Sequence, residues 1–283
     1  MAFLNLPTHR LRYRIDGERG PWLTFCNSLG TDLNMWDAQV GVLSNTFRIL
    51  RYDRRGHGAS GAPPGPYSIA DLGGDVLALL DSLAIGRTHF CGLSIGGMVG
   101  QWLGIHAGDR VDRLVVCATA ARIGTPESWQ ARSEQVREHG LAPLLEPTAE
   151  RWFTPSFNAS HPAVVRDILQ RFAGTSVDGY RGCCAALAGA DLRAALGQIE
   201  TPLLAISGND DPVCTPADLQ AIADGVADGR HLSLPGRHIV NIESAHDFNA
   251  ALQDFLVSPD GGNIDKSCAR TASARRLSVP GTS

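Results

Sequence analysis

No stretch of this chain approaches the roughly 18 consecutive apolar residues that a membrane-crossing helix needs, so a spanning segment is not expected. Charge of one sign is also scarce. Twenty-five lysines and arginines against 29 aspartates and glutamates leave a net charge of −4, and the isoelectric point is about 6.1. That balance offers no basic footprint for nucleic acid. Among the seven cysteines there is no Cys-x-x-Cys pair, which removes the common zinc and thiol-redox spacings. Cys183 and Cys184 are adjacent, a poor geometry for bonding to each other, while Cys26, Cys91 and Cys117 lie in apolar stretches and read as small buried hydrophobes. The odd count and these positions fit a reducing cytoplasm and no structural disulfides. The opening residues, MAFLNLPTHRLRYRI, lack the basic-then-apolar-then-small order of a secretory leader, and no internal repeat is visible.

What is present is an ordinary globular composition, 43% hydrophobic over 283 residues. At roughly 150 residues per domain the length corresponds to about two domains, and one α/β domain with an insertion fits equally. Short apolar runs alternate with helical patterns in the first half, the rhythm of a mostly parallel sheet covered by helices. Strands are expected at residues 11–15, 22–27, 47–52, 88–92 and 111–118. Helices are expected at 69–83, where Ile69, Leu72, Val76, Leu79, Leu80 and Leu83 recur at helical spacing and Gly86 provides the stop, and at 95–106.

From about residue 121 to 189 the strand-like runs disappear and Arg, Glu, Trp and Ala dominate, so this segment reads as a helical insertion. The α/β rhythm resumes at Pro202, with strands at 203–208 and 230–234 and helices near 217–225 and 243–256. The chain therefore divides into a first core part (1–120), a helical cap (121–190), a second core part (191–257) and a tail (258–283). The tail has too little apolar material to offset its ordering entropy and reads as mobile. Arg275, Arg276 and Ser278 within it resemble a kinase site, although a solvated tail accounts for them.

The segment that carries chemistry is Gly92-Leu93-Ser94-Ile95-Gly96-Gly97. It follows a strand-like stretch and opens an apolar helix, the strand–turn–helix setting of a nucleophile elbow. Such a turn holds its serine in a strained conformation with Oγ exposed. Side chains two positions before and after would collide with the neighbouring strand and helix, which explains Gly92 and Gly96. A dinucleotide-binding loop would need glycine where Ser94 stands.

A serine hydroxyl needs a base. Of nine histidines, His238 follows the strand at 230–234 and precedes the last helix, which places it in a loop at the same end of the sheet as Ser94. In the chain order serine, acid, histidine, the acid falls after the strand at 203–208. Asp211 is preferred over Asp210 for its spacing from Gly208 and the Pro212 that follows; an ordinary Asp-Pro turn is the bland alternative. Backbone donors for a developing oxyanion are expected at Ile95, at the start of a helix, and at Leu29, in the loop after an earlier strand. The glycine-punctuated loop from Asp53 to Ser60 reads as structural, packed near the site without acting in it.

Together these pieces resemble the α/β-hydrolase superfamily over residues 10–257, with an α/β fold built on a mostly parallel doubly wound sheet and an inserted helical cap. Within it they are similar to the 3-oxoadipate enol-lactonases. Three stretches carry the closer likeness: Asn27-Ser28-Leu29-Gly30-Thr31-Asp32-Leu33-Asn34-Met35-Trp36, Leu93-Ser94-Ile95-Gly96-Gly97-Met98, and Arg151-Trp152-Phe153-Thr154-Pro155. Many relatives have His-Gly where this chain has Asn27-Ser28.

The resemblance implies a triad of Ser94, Asp211 and His238, oxyanion donors at Leu29 and Ile95, and a small anionic enol-lactone as substrate, opened to 3-oxoadipate through an acyl-enzyme in aromatic-compound catabolism (the β-ketoadipate pathway). No metal or organic cofactor is implied, and no nucleic-acid or membrane partner. A substrate carboxylate calls for arginine, and among seven in the insertion Arg132 is chosen, with Trp129 and Trp152 as an aromatic wall. Cap packing is the competing account of these three. The alternatives are another serine hydrolase of the fold (a carboxylesterase, a cofactor-free perhydrolase or a carbon–carbon bond hydrolase) and a hydrolase-fold ligand receptor.

Overall fold

A computed structural model describes residues 2–257; the expected tail over 258–283, with Arg275, Arg276 and Ser278, lies outside the described residues. Eight strands form one sheet: β1 (Ala2–Asn5), β2 (Arg10–Asp16), β3 (Trp22–Cys26), β4 (Arg48–Tyr52), β5 (Thr88–Leu93), β6 (Val111–Cys117), β7 (Leu203–Gly208) and β8 (Gly229–Leu234), in the order β1-β2-β4-β3-β5-β6-β7-β8. β1 and β2 pair antiparallel with their neighbours. The strands from β4 onward in that order run parallel. Parallel strands are covered on both faces, and their sequences become continuous apolar runs. Accordingly, β5 and β7 are buried at every position.

Eleven α-helices are described: α1 (Asp37–Leu43), α2 (Ile69–Ser82), α3 (Ile95–His106), α4 (Pro126–His139), α5 (Leu145–Trp152), α6 (Pro155–Ser160), α7 (Pro162–Ala173), α8 (Val177–Ala188), α9 (Pro216–Asp224), α10 (Val240–Glu243) and α11 (Ala245–Val257). In α2 a reciprocal cap sets the start: Ser68 Oγ accepts from Asp71 N–H at 3.1 Å, and the Asp71 carboxylate accepts from Ser68 N–H at 2.8 Å. Its apolar stripe is buried through Ile69, Leu72, Val76, Leu79 and Leu80. Helices α4 to α8 all lie between β6 and β7 in the chain, within the segment read as an insertion. Among their backbone contacts with the core, Gly56 of a core loop lies against Gly179 of α8 so closely that a Cβ on either would collide with the other.

The structure differs from the sequence reading in four places. β1 was not expected; four residues with alternating partial exposure make a pattern too short to register. Leu33–Trp36 and α1 form a helical stretch that was also missed. The expected helix over 69–83 ends at Ser82, because Ala84 takes a left-handed conformation (φ 52°) before Gly86 is reached. The last helix, expected over 243–256, is α11, and the short α10 before it was not expected; Ser244, with φ −115° and ψ 43°, separates the two.

Because parallel strands point the same way, the loops after β3, β5, β7 and β8 gather at one edge of the sheet. Those loops carry Leu29, Ser94, Asp211 and His238.

Candidate active site

Ser94 sits between β5 and α3 with φ 60° and ψ −120°, a conformation that L side chains rarely adopt and that persists where surrounding structure enforces it. The enforcement is visible. Ser94 N–H donates to Cys117 O at 2.9 Å, and the Ser94 carbonyl accepts from Thr119 Oγ1 at 2.7 Å and from Gly97 N–H at 2.8 Å. A Cβ at position 92 would strike the Gly96 carbonyl, and one at 96 would strike the Cys26 carbonyl. Both glycines are therefore required by close backbone approach.

His238 Nδ1–H donates to Asp211 Oδ2 at 2.9 Å, and both residues are buried. The other oxygen, Asp211 Oδ1, accepts from Val213 N–H at 2.8 Å. That arrangement fixes the carboxylate, which in turn fixes the imidazole and leaves Nε2 as the nitrogen turned away from it. Asp210, the neighbour considered beside it, is exposed. Gly208 lets the two loops meet, since a side chain there would run into the Arg237 and Gly236 carbonyls.

Ser94 and His238 line one cavity of about 270 Å³. Its walls include Ser28 and Leu29 from the core and Trp129, Arg132, Thr148, Arg151, Trp152, Phe172 and Tyr180 from the inserted helices. The backbone N–H groups of Leu29 and Ile95 have no hydrogen-bond partner among the described residues. Ile95 opens α3, where free donors face outward and favour negative charge. A hydroxyl and an oriented imidazole on one cavity, with an idle N–H at the lining residue Leu29 and another at Ile95 directly after Ser94, are the groups that can activate a nucleophile and hold an oxyanion.

The inserted helices supply two cations. Trp129 and Arg132 are three residues apart on α4, and Trp129 Nε1–H donates to Ile123 O at 2.6 Å. Thr148, Arg151 and Trp152 share one face of α5, with Arg151 Nη2 donating to Thr148 Oγ1 at 3.3 Å. Trp152 packs edge-on against Phe172 at 5.6 Å, and Phe172 against Tyr180 at 5.8 Å. Neither Arg132 nor Arg151 pairs with a carboxylate among the described residues. Burial, followed by the Arg132 cation, holds the Arg151 guanidinium below its ordinary value. Burial pushes the Tyr180 hydroxyl up to about 12 despite the nearby guanidiniums, so it remains a neutral hydrogen-bonding group at physiological pH.

Arg151, Tyr180, Thr148, Phe172 and Ser28 were not singled out as site residues from the sequence. The spacing of Thr148, Arg151 and Trp152 at i, i+3 and i+4 is the signal that could have placed Arg151 beside Trp152. Among the described residues no cluster of three or more His, Cys, Asp or Glu could hold a metal ion, and no helix is long and apolar enough to cross a membrane.

A family model of the α/β hydrolase fold matches residues 21–245, and the chain belongs to the α/β-hydrolase family. Two relatives from Acinetobacter baylyi (strain ATCC 33305 / BD413 / ADP1) are similar over most of their length. 3-Oxoadipate enol-lactonase 2 is 46% identical over 87% of this chain and 92% of its own. 3-Oxoadipate enol-lactonase 1 is 38% identical over 88% and 93%. The crystal structure of the enol-lactonase from Burkholderia xenovorans LB400 superposes with a TM-score of 0.89 at 45% identity, covering 91% of this chain and all of that one. By this kinship the protein is an enzyme of the carboxylic ester hydrolase class and groups with the 3-oxoadipate enol-lactonases.

Proposed function

We propose that the protein hydrolyses 3-oxoadipate enol-lactone, a five-membered enol-lactone with a free acetate arm, to 3-oxoadipate, as part of aromatic-compound breakdown. One observation carries the substrate assignment beyond the names of the relatives. Arg132 and Arg151 line the same small cavity as Ser94 and His238 with no carboxylate partner among the described residues. Two guanidiniums without a carboxylate partner among the described residues, in a partly desolvated cavity, favour an anion, and a lactone with a carboxylate arm places its anion there while its carbonyl lies at Ser94.

The chemistry follows from the loops at the sheet edge. His238 Nε2 takes the Ser94 proton as Oγ attacks the lactone carbonyl, and Asp211 holds the imidazole in the tautomer this requires. The Leu29 and Ile95 N–H groups receive the tetrahedral oxyanion. Collapse breaks the ring C–O bond and expels an enolate, a better leaving group than an alkoxide. The enolate takes the proton held by the His238 imidazolium and becomes a ketone, which discourages reclosure and returns His238 to its neutral form. A water that gives its proton to His238 then attacks the acyl-enzyme, and Ser94 leaves with its proton restored.

The test is the loss of enol-lactone absorbance with freshly generated substrate. Wild type is expected to reach a kcat/KM between about 10⁴ and 10⁸ M⁻¹s⁻¹, and Ser94→Ala to fall by about 10⁴-fold or more with its melting temperature kept. Hydrolysis of p-nitrophenyl acetate through Ser94 without lactone turnover would keep the nucleophile and overturn the substrate.

A further inference from the structure

The loop after β4, read from the sequence as structural packing, holds two residues whose hydrogen bonds converge on the peptide groups around Leu29. Arg54 is fully buried and has no carboxylate partner among the described residues. Instead its guanidinium donates to two carbonyls of the neighbouring loop: Nη1 to Ser28 O at 3.3 Å and Nη2 to Asn27 O. The Ser28 carbonyl also lies 2.9 Å from the Thr31 hydroxyl and 3.3 Å from Thr31 N–H. A carbonyl approached by a cation, a hydroxyl and an N–H is held in one direction. In a trans peptide the N–H points opposite to the C=O, so fixing Ser28 O fixes the Leu29 N–H on the other side.

The next peptide is held as well. Gly30 N–H donates to His57 Nε2 at 3.0 Å, and His57 Nδ1–H reaches the Arg55 carbonyl at 3.2 Å. These two bonds specify a neutral imidazole whose Nε2 lone pair accepts. Burial, reinforced by the Arg54 charge, lowers the His57 pKa to about 3, so the acceptor is intact across the working pH range. A buried guanidinium bonded to two carbonyls and the Cys26 sulfur, with its Nε left without a partner among the described residues, is an expensive arrangement. Here it lies against the peptide of Leu29, a residue that lines the cavity and whose N–H has no hydrogen-bond partner among the described residues.

We propose that Arg54 and His57 are positioning residues for the oxyanion hole, clamping the peptides on either side of Leu29 so that its N–H is aimed at the cavity before substrate arrives. Neither touches the reacting atoms. The inference rests on reading Leu29 as an oxyanion donor to a Ser94-centred reaction, but it does not depend on which ester is the substrate. A donor fixed in advance needs no reorganisation in the transition state, which is the source of oxyanion-hole catalysis.

The experiment uses the rate at which a p-nitrophenyl alkylphosphonate phosphonylates Ser94, followed as stoichiometric nitrophenolate release. The phosphoryl oxygen occupies the oxyanion position, and no natural substrate is needed. His57→Leu removes the acceptor for Gly30 N–H and is expected to slow phosphonylation by about 10- to 100-fold, the lower part of the range for losing an oxyanion donor. His57→Gln, which can still accept that hydrogen bond, is expected to stay within about threefold of wild type.

Thr31→Val keeps the volume and removes one contact to Ser28 O; a reduction of about two- to fivefold, smaller than loss of a whole donor, keeps the test decisive if His57→Leu fails to fold. Turnover of p-nitrophenyl acetate should show the same order, in kcat with KM unchanged. A folded His57→Leu that phosphonylates at the wild-type rate overturns the proposal, as does His57→Gln as slow as His57→Leu, or Thr31→Val at the wild-type rate. Failure of the lactone reading looks different: wild type would then phosphonylate normally while leaving the lactone untouched.

Discussion

The loops at the carboxyl edge of the sheet and the helices α4 to α8 that cover them both hold arginines without carboxylate partners among the described residues, and they hold them in opposite ways. Arg54 is sealed in the core, with both terminal nitrogens bonded to the neighbouring loop. Arg132 and Arg151 are half-buried and open on the cavity. A sealed cation has nothing left to offer a ligand and serves to fix geometry. An open one has its charge in reserve. In our reading, bond breaking is assigned to the first region and choice of substrate to the second, and the two assignments can be separated by substitution.

The largest expected effect falls on the sheet edge. Asp211→Asn should lower kcat by about 10⁴-fold, as loss of the orienting acid does in comparable triads, on the lactone and on neutral nitrophenyl esters alike. A loss confined to the lactone would break the division. The inserted helices should behave differently. Replacing Arg132 and Arg151 together by Gln should lower kcat/KM for the anionic lactone by about 10- to 150-fold for each charged hydrogen bond lost, chiefly through KM. Neutral esters should change by less than about threefold, as expected if the charges act on the substrate's anion. Equal losses on both substrates would assign these arginines to cap packing.

The smallest effect is a pH dependence of stability. The folded protein holds His57 at about 3, while the unfolded chain carries it near the ordinary 6.5. The stabilising contribution of this neutral histidine is complete above about 6.5 and is lost as pH falls from there towards 3, because the unfolded state binds a proton that the folded state refuses. Urea midpoints measured between pH 6.5 and 4 should therefore fall more steeply for wild type than for His57→Gln, by up to about one proton in slope. Equal slopes would mean that His57 is charged in the native state, which would leave Gly30 N–H facing a donor.

The difference between the regions also governs what the sequence could convey. The elbow is local: strand, turn, strained serine and flanking glycines occupy a few consecutive residues, and each is demanded by a backbone collision that the spelling implies. His238 and Asp211 could be placed because parallel strands deliver their following loops to one edge. The covering helices have no such rule. Which face of α4 or α5 turns to the cavity depends on how the helices stack, so Trp129, Arg132 and Trp152 were chosen by chemistry while Arg151 and Tyr180 were passed over. The Arg54–His57 clamp was invisible for a related reason. Its partners lie more than twenty residues away in the chain, and no periodicity connects a guanidinium to a distant carbonyl.

The contact between Gly56 and Gly179 limits how this scaffold can be re-engineered. Grafting another set of covering helices onto the core is an obvious route to a new substrate range. Whatever the grafted sequence, its residue at the place of Gly179 must be glycine, because any side chain would meet the backbone of the loop that carries His57. A chimaera that ignores this would displace that loop, and a screen scoring only new activities would discard the graft for a fault in its seating, one residue from the His57 imidazole.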